Sequence, residues 1–347
     1  MLERAIIADD LTGALDAAAP FAMRGISTAV ALNVAALPQA IATGARIVSV
    51  STDSREISPQ AANAAVRDAL AALPTGTPLF KKVDSRLKGN IEAELDAIPH
   101  QRSLVIPAIP AFGRLVKDGA IRGFGVPEPI IVADRLGRHA LASVVPDIAE
   151  QVDIDQALNR AFDLPIGARG LAEAMAKAMA PDAAEPRITF PKGPAYCVIG
   201  STDPITLAQL DRLRAADQKI SYIDAPNGHG APLVGASKLT IIQATPGTSP
   251  ADGKAVATTL GKTLAALSPP PGSLLVLSGG ATAQVILEQL GIAVLELLGE
   301  ALPGLPNARA GDLTVITKSG GFGDPDTLST LLAPYLSAGS PVHSHVG

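Results

Sequence analysis

The stretch Ala5-Ile6-Ile7-Ala8-Asp9-Asp10-Leu11-Thr12-Gly13-Ala14 decides the fold. An apolar run at 5–8 ends in two adjacent carboxylates, and a segment of helical period follows over 12–23. Strand, polar turn and helix in that order make the first part of a βαβ unit. Outward from it the alternation recurs. Strands are expected at 27–32, 45–51, 78–82 and 103–106, and helices at 58–73 and 89–97. Ser58 is a good N-cap for its helix, with Pro59 in the first turn. Strands that alternate with helices imply a largely parallel sheet.

The run 107–129 is dense in Gly and Pro and reads as a long ordered loop, a kind that is usually functional. An Ala-rich amphipathic helix follows at 168–179, and the polar, Pro-rich stretch 181–194 reads as a domain boundary. A second series then places strands at 195–199, 220–224, 239–244, 273–277, 293–298 and 313–317. Its helices fall at 204–215, 250–267, 282–290 and 325–336, and 339–347 has no period. The expected fold is α/β with two domains, 1–185 and 195–340. Each is a largely parallel sheet flanked by helices.

Bulk properties agree. The 347 residues, 47% hydrophobic and 18% charged, suffice for two cores. A net charge of −5 with no Lys/Arg run argues against a nucleic-acid partner. No run approaches the roughly 18 apolar residues that span a bilayer. Acidic residues stand where a signal peptide would carry its apolar stretch, so a cytoplasmic location is expected, with no membrane partner. Cys197, the only cysteine, excludes an internal disulfide and sits in an apolar run as a core residue. A homo-oligomer is left open.

Charge gathers at the strand ends of the first domain. Asp9 and Asp10 could bind hydroxyls, accept a proton, hold Mg²⁺, or cap the helix that follows. Asp53-Ser54-Arg55 follows one strand. Lys81-Lys82-Val83-Asp84-Ser85-Arg86-Leu87-Lys88-Gly89-Asn90 follows another. Four basic side chains within eight residues suit a carboxylate or phosphate ligand.

The second domain carries three small-residue turns, each between a strand and a helix. They are Gly200-Ser201, Ser278-Gly279-Gly280-Ala281-Thr282 and Lys318-Ser319-Gly320-Gly321-Phe322-Gly323. Glycine there admits phosphate oxygens to backbone N–H groups, and the next helix N-terminus favours an anion. Gly261-Lys262-Thr263 imitates a phosphate-loop signature, but Val256 stands where its first glycine belongs. Neither a G-x-G-x-x-G fingerprint nor a G-x-S-x-G elbow occurs. His100, His139, His229, His343 and His345 show no zinc-ligand spacing.

Taken as a collinear set, these segments resemble the four-carbon acid sugar kinases. The matching residues are Ile7 to Ala14, Ser51 to Arg55, Lys81 to Ser85, Gly89-Asn90, Pro107-Ala108 with Gly113-Arg114, and the three turns of the second domain. The resemblance implies an N-terminal domain for the sugar acid and a C-terminal domain for ATP. Members phosphorylate a terminal hydroxyl of threonate, erythronate or 3-oxo-tetronate, and a related branch takes 3-oxo-isoapionate. It implies nucleotide contacts at Ser201, at Ser278, Gly279, Gly280, Ala281 and Thr282, and at Lys318, Ser319, Gly320 and Gly321. This chain departs from the family at Arg86 and Lys88, where Thr and Arg are usual, and at Phe112, where a polar residue is common.

The sequence reading is thus an ATP- and Mg²⁺-dependent kinase for a small sugar acid. Asp9 or Asp10 takes the hydroxyl proton, with Asp84 next in line. Arg55, Lys82 and Arg114 face the acid or the moving phosphate, with Asp53, Lys81, Arg86, Lys88 and Asn90 completing the substrate set. The Mg²⁺ ligands stay open. A non-catalytic sugar-acid-binding module is the alternative, and a phosphatase or aldolase built on Asp9-Asp10 a third.

Overall fold

The computed structural model describes residues 2–184, 186–217, 219–231 and 237–336. His343, His345 and the stretch 339–347 lie outside the described residues. The chain splits into two compact units, Met1–Arg187 with Ala293–Gly299, and Ile188–Ile292 with Glu300–Gly347.

The first unit begins β1 (Arg4–Ala8), α1 (Leu11–Ala22), β2 (Thr28–Ala31), α2 (Leu37–Ala42), β3 (Ile47–Ser51) and α3 (Pro59–Ala72). It continues β4 (Leu79–Lys82), α4 (Ile91–Leu95), β5 (Ser103–Ile106), β6 (Arg114–Lys117), β7 (Ala120–Gly123) and β8 (Val126–Ile131). Then come α5 (Val132–Leu136), β9 (Ser143–Val144), α6 (Gln151–Ala157), β10 (Leu164–Gly167) and α7 (Arg169–Met179). The main sheet has the order β2-β3-β1-β4-β10-β5-β9, and every neighbouring pair in it is parallel. Its central strands are buried along their whole length, which is why they read as continuous apolar runs. In α3 only Ala62, Val66 and Ala69 are buried, one face at helical spacing, and the Ser58 hydroxyl accepts from Ala61 N at 3.3 Å.

The second unit contains β11 (Ala195–Ile199), α8 (Pro204–Ala216), β12 (Ser221–Pro226), β13 (Leu239–Thr245), α9 (Gly253–Ala266) and β14 (Leu274–Ser278). After α10 (Gly280–Gln289) the chain runs through β15 (Val294–Leu302), whose residues up to Gly299 belong to the first unit, and then β16 (Leu305–Ala310), β17 (Leu313–Lys318) and α11 (Thr327–Leu332). The order β12-β13-β11-β14-β17 is parallel, and β16 pairs antiparallel with β17. Cys197 is wholly buried among Ile199, Leu213, Ile241, Val276 and Ile316.

The structure corrects the loop expected at 107–129. Most of it is an antiparallel meander, β6-β7-β8. Its first turn is Asp118-Gly119, with φ of 52° and 70°, the two left-handed residues that a two-residue hairpin requires. Strands β10 and β16 were also missed, because each carries a proline and β10 has only four residues. The segment Ala293–Gly299, expected in the second domain, groups with the first unit. There Val294 to Leu297 pair antiparallel with Ala31 to Thr28. Gly261 lies inside α9, where a side chain would strike the Gln289 carboxamide of α10. Its smallness serves helix packing, not phosphate binding.

Candidate functional site

In the first unit, register brings three strand ends level. Ala8 pairs with Ser51 of β3 on one side and with Lys82 of β4 on the other. The turns after β1, β3 and β4 therefore share one edge, where the order of strand connections switches sides around β1.

Arg55 joins them. Its Nε and Nη2 donate to the two oxygens of Asp9 at 2.7 and 2.9 Å, and its Nη1 reaches Asp10 Oδ2 at 2.7 Å. Asp10 divides its carboxylate, because Oδ1 caps α1 by accepting from Gly13 N at 2.6 Å. Gly89, at φ +92°, lies against Asp9 Oδ2, where a Cβ would come within 3.0 Å.

The two carboxylates are tuned apart. Burial alone would raise Asp9. The Arg55 hydrogen bonds and the charges of Lys81, Arg55 and Lys82 outweigh it and hold Asp9 below the usual carboxylate range. Burial raises Asp10, the charge of Asp9 adds to it, and Arg55, Lys82 and the Gly13 amide offset it only in part, so Asp10 ends above its ordinary value.

Lys82 is 4% exposed and donates to Val83 O at 3.0 Å, and its Nζ would lie 3.2 Å from a Cβ at Gly13. This ammonium adjoins the start of α1 and the Asp10 carboxylate. Arg114 of β6 donates to Ser85 Oγ and, at 2.9 Å, to Phe124 O. Burial lowers its pKa, as does the nearby Arg86, while Asp84 opposes both. The meander thus leans a cation on the turn after β4. Asp84 shapes that turn by accepting from Arg86 N at 2.9 Å, and Arg86 and Lys88 project to solvent. Asp53 is exposed with φ of 49°.

Two expected substrate contacts are placed otherwise. Asn90 donates to Ser54 O at 2.9 Å and Ile57 O at 2.8 Å, so it clamps the turn after β3. Lys81 is wholly buried against Glu94 Oε2 at 3.0 Å. Glu94, which sequence reasoning missed, also accepts from Ser54 Oγ, while Thr52 Oγ1 lies 2.6 Å from that hydroxyl and donates to Ala8 O at 2.9 Å. This buried network supports the turn that carries Arg55. Its only sequence signal was an acid, Glu94, at a position where α4 turns its Ile91 and Leu95 inward.

In the second unit the same logic holds. Ser278 pairs with Ile199 on one side and Lys318 on the other, so the three turns adjoin. Gly279 N donates to Lys318 O at 2.9 Å, and Gly200 N to Ser278 O at 3.1 Å. A side chain at Gly200 would strike Thr282, and one at Gly320 would strike Ser201 Oγ. Gly279 has φ +105°, and α10 starts after it with no side-chain cap. Ser278 Oγ is fully buried without a partner. Ala281 is exposed and Thr282 half-buried in the first turn of α10. The uncapped start of α10 and the orphaned Ser278 hydroxyl fit a nucleotide's phosphates, while Gly200 and Gly320 make room for Thr282 and Ser201. Lys318 does not point out toward them, being 2% exposed and bonded to Thr206 Oγ1, Ser319 O and Gly320 O. Ser201 Oγ accepts from Asp203 N at 3.2 Å, and Gly321 adjoins the Asp203 carboxylate. No group of three metal-ligating side chains occurs among the described residues, and no helix there is long and apolar enough to cross a membrane.

Comparison with known proteins finds two family models, with β11, α8 and the Gly200-Ser201 turn inside the first. The family model for a sugar-binding N-terminal domain covers residues 4–220, and that for a nucleotide-binding C-terminal domain covers 229–328. The chain is 29% identical over 397 residues to the D-threonate kinase of Bordetella bronchiseptica, spanning 93% of this chain and 95% of that one. The D-threonate kinase of Cupriavidus necator is equally similar, at 29% over 401 residues, with 93% and 95% covered. A D-erythronate kinase of Heliobacterium modesticaldum is 35% identical over 129 residues, 35% of this chain and 29% of the relative. A solved Haemophilus influenzae protein shares the fold, with a TM-score of 0.69 at 20% identity over 96% of this chain and all of the other. With a sugar-binding model over residues 4–220 and a nucleotide-binding model over 229–328, this chain belongs to the four-carbon acid sugar kinase family.

Proposed function

We propose that the protein is an ATP-dependent kinase that phosphorylates a terminal hydroxyl of a small sugar acid such as threonate, erythronate or 3-oxo-tetronate. One observation carries this reading further than the family does: of two adjacent carboxylates at one strand end, the Arg55 hydrogen bonds and nearby cations hold Asp9 low while burial raises Asp10. Asp9, held ionised by Arg55, is the fixed anchor. Asp10, raised by burial, is the group that orients the acceptor hydroxyl and takes its proton as the phosphate arrives. Lys82, Arg114, Arg86 and Lys88 supply positive charge for the acid's carboxylate and the transferring phosphate. Arg55 is already spent on Asp9 and Asp10 and acts through them.

ATP lies in the second unit on Ser201, Gly279 to Thr282 and Gly320, with Ser278 Oγ free to donate to a phosphate oxygen. Mg²⁺ bound with ATP would supply neutralising charge at the phosphates. A thermal-shift screen of C4 and C5 sugar acids, with and without Mg-ATP, tests the reading. A ligand at 100 times its Kd stabilises by about 2.7 kcal/mol, a readily measured rise in melting temperature. A four-carbon acid should give that rise and its neutral sugar alcohol none. Equal shifts for both would sink the proposed selectivity.

A further inference from the structure

Lys318, the last residue of β17, is a buried cation without a counter-ion. Its ammonium donates to Thr206 Oγ1 at 2.9 Å, Ser319 O at 3.0 Å and Gly320 O at 3.2 Å. All three acceptors are neutral, and no carboxylate forms an ion pair with it among the described residues. Burying an unpaired ammonium is costly, so the fold keeps this one for a reason other than stability.

The titratable groups that face it are two. Cys197 on β11 has a thiol pushed up to about 12 by burial, so it stays neutral. Asp203 caps α8 by accepting from Ile205 N at 2.9 Å. Burial pushes Lys318 down to about 8, with the Asp203 carboxylate opposing.

Its position matters more than its charge alone. Gly320 O accepts from both Lys318 and Thr206 Oγ1. Gly320 in turn lies against Ser201 Oγ, and Lys318 O accepts from Gly279 N at 2.9 Å. The ammonium therefore fixes the turn after β17 against Thr206 of α8, and that turn packs on Ser201 through Gly320.

We propose that the Lys318 ammonium positions the turn after β17 from inside without touching the nucleotide, and that it takes up a proton from solvent when a polyphosphate binds at the three turns. This rests on the nucleotide reading of those turns. A polyanion at the turns favours the charged ammonium, so binding raises its pKa. By linkage, nucleotide affinity then falls as the pH rises above about 8.

Calorimetric titration of Mg-ADP into the full chain tests this, run in Tris and in HEPES, whose ionisation enthalpies differ. At pH 8 the difference between buffers should report uptake of up to about half a proton per ADP bound, and at pH 7 about a tenth or less. Lys318→Arg, always charged, should bind ADP with no such uptake. Lys318→Met should bind ADP about tenfold or more weakly while its affinity for the sugar acid stays unchanged. Melting curves establish that each variant folds, and the wild-type comparison between pH 7 and pH 8 decides without them. ADP binding with no uptake at pH 8, or uptake undiminished in Lys318→Arg, overturns the inference. Absence of any ADP binding overturns the nucleotide reading itself, a distinguishable result.

Discussion

Asp9 and Asp10 show how much of the site turns on single side chains. The sequence leaves the pair open as hydroxyl ligands, proton acceptors, Mg²⁺ ligands or helix caps, and in the structure Asp10 caps α1 with one oxygen and pairs with Arg55 through the other. Asparagine caps as well as aspartate, so Asp10→Asn should leave the melting temperature nearly unchanged while kcat falls about 10²–10⁴-fold. With Asp10 raised, the acid limb of kcat/KM should lie above the ordinary aspartate value of 3.8 and vanish in that variant. Asp9→Asn should behave differently. Asp9 is depressed in the folded state, so its ionised form adds stability above the unfolded value of 3.8, and this is lost as the pH falls through the folded value. The variant should lose about 1–3 kcal/mol at pH 7, with the gap narrowing toward acid pH, as melting curves at both pH values would show. Near wild-type kcat in Asp10→Asn would move the base to another group. Which aspartate does what was not legible in the sequence, because Arg55 comes from another strand end, 46 positions away from Asp9.

At the scale of elements, most of the architecture was legible. Buried parallel strands announce themselves as apolar runs, and Ser58 marked the start of α3. What failed were elements whose patterning is short or broken: α2, the meander at β6-β7-β8, the short α5, β9 and α6 after it, β10 with Pro165, and β16 with Pro306. The Asp118-Gly119 turn was the available signal for the meander. Short α4 was found, but the Glu94–Lys81 pair inside it was not, since an ion pair across elements leaves no trace in local periodicity. Glu94→Gln should strand a buried ammonium and cost on the order of 3–5 kcal/mol. The double change Glu94→Leu with Lys81→Met should recover most of that, yet the KM for the sugar acid should stay raised because the Ser54 hydroxyl has lost its partner. Recovery of KM in step with melting temperature would make the network a matter of stability alone. The nucleotide turns allow a sharper test. Gly279→Val places a branched side chain at φ +105°, beside Thr282 and the Ser201 amide. It should weaken ATP binding at least tenfold, about 1.4 kcal/mol, by calorimetry, and unchanged affinity would place ATP elsewhere.

At the scale of the molecule, one chain carries two series of parallel strands that solve the same problem twice. In each, register levels three neighbouring strand ends. The first edge is lined with charge suited to an acid, and the second with small residues suited to phosphate. The pairing of family models with these two edges is what makes a kinase the economical account. The measurement that tests it most directly follows ³¹P resonances of Mg-ATP mixed with the protein and D-threonate, D-erythronate or the amide of either acid. The account predicts that the γ-phosphate signal is replaced by ADP and a phosphomonoester only with the free acids, and that Asp10→Asn abolishes most of the rate. Loss of γ-phosphate to inorganic phosphate alone, equal turnover of acid and amide, or no acid-dependent reaction with any four-carbon acid would contradict it.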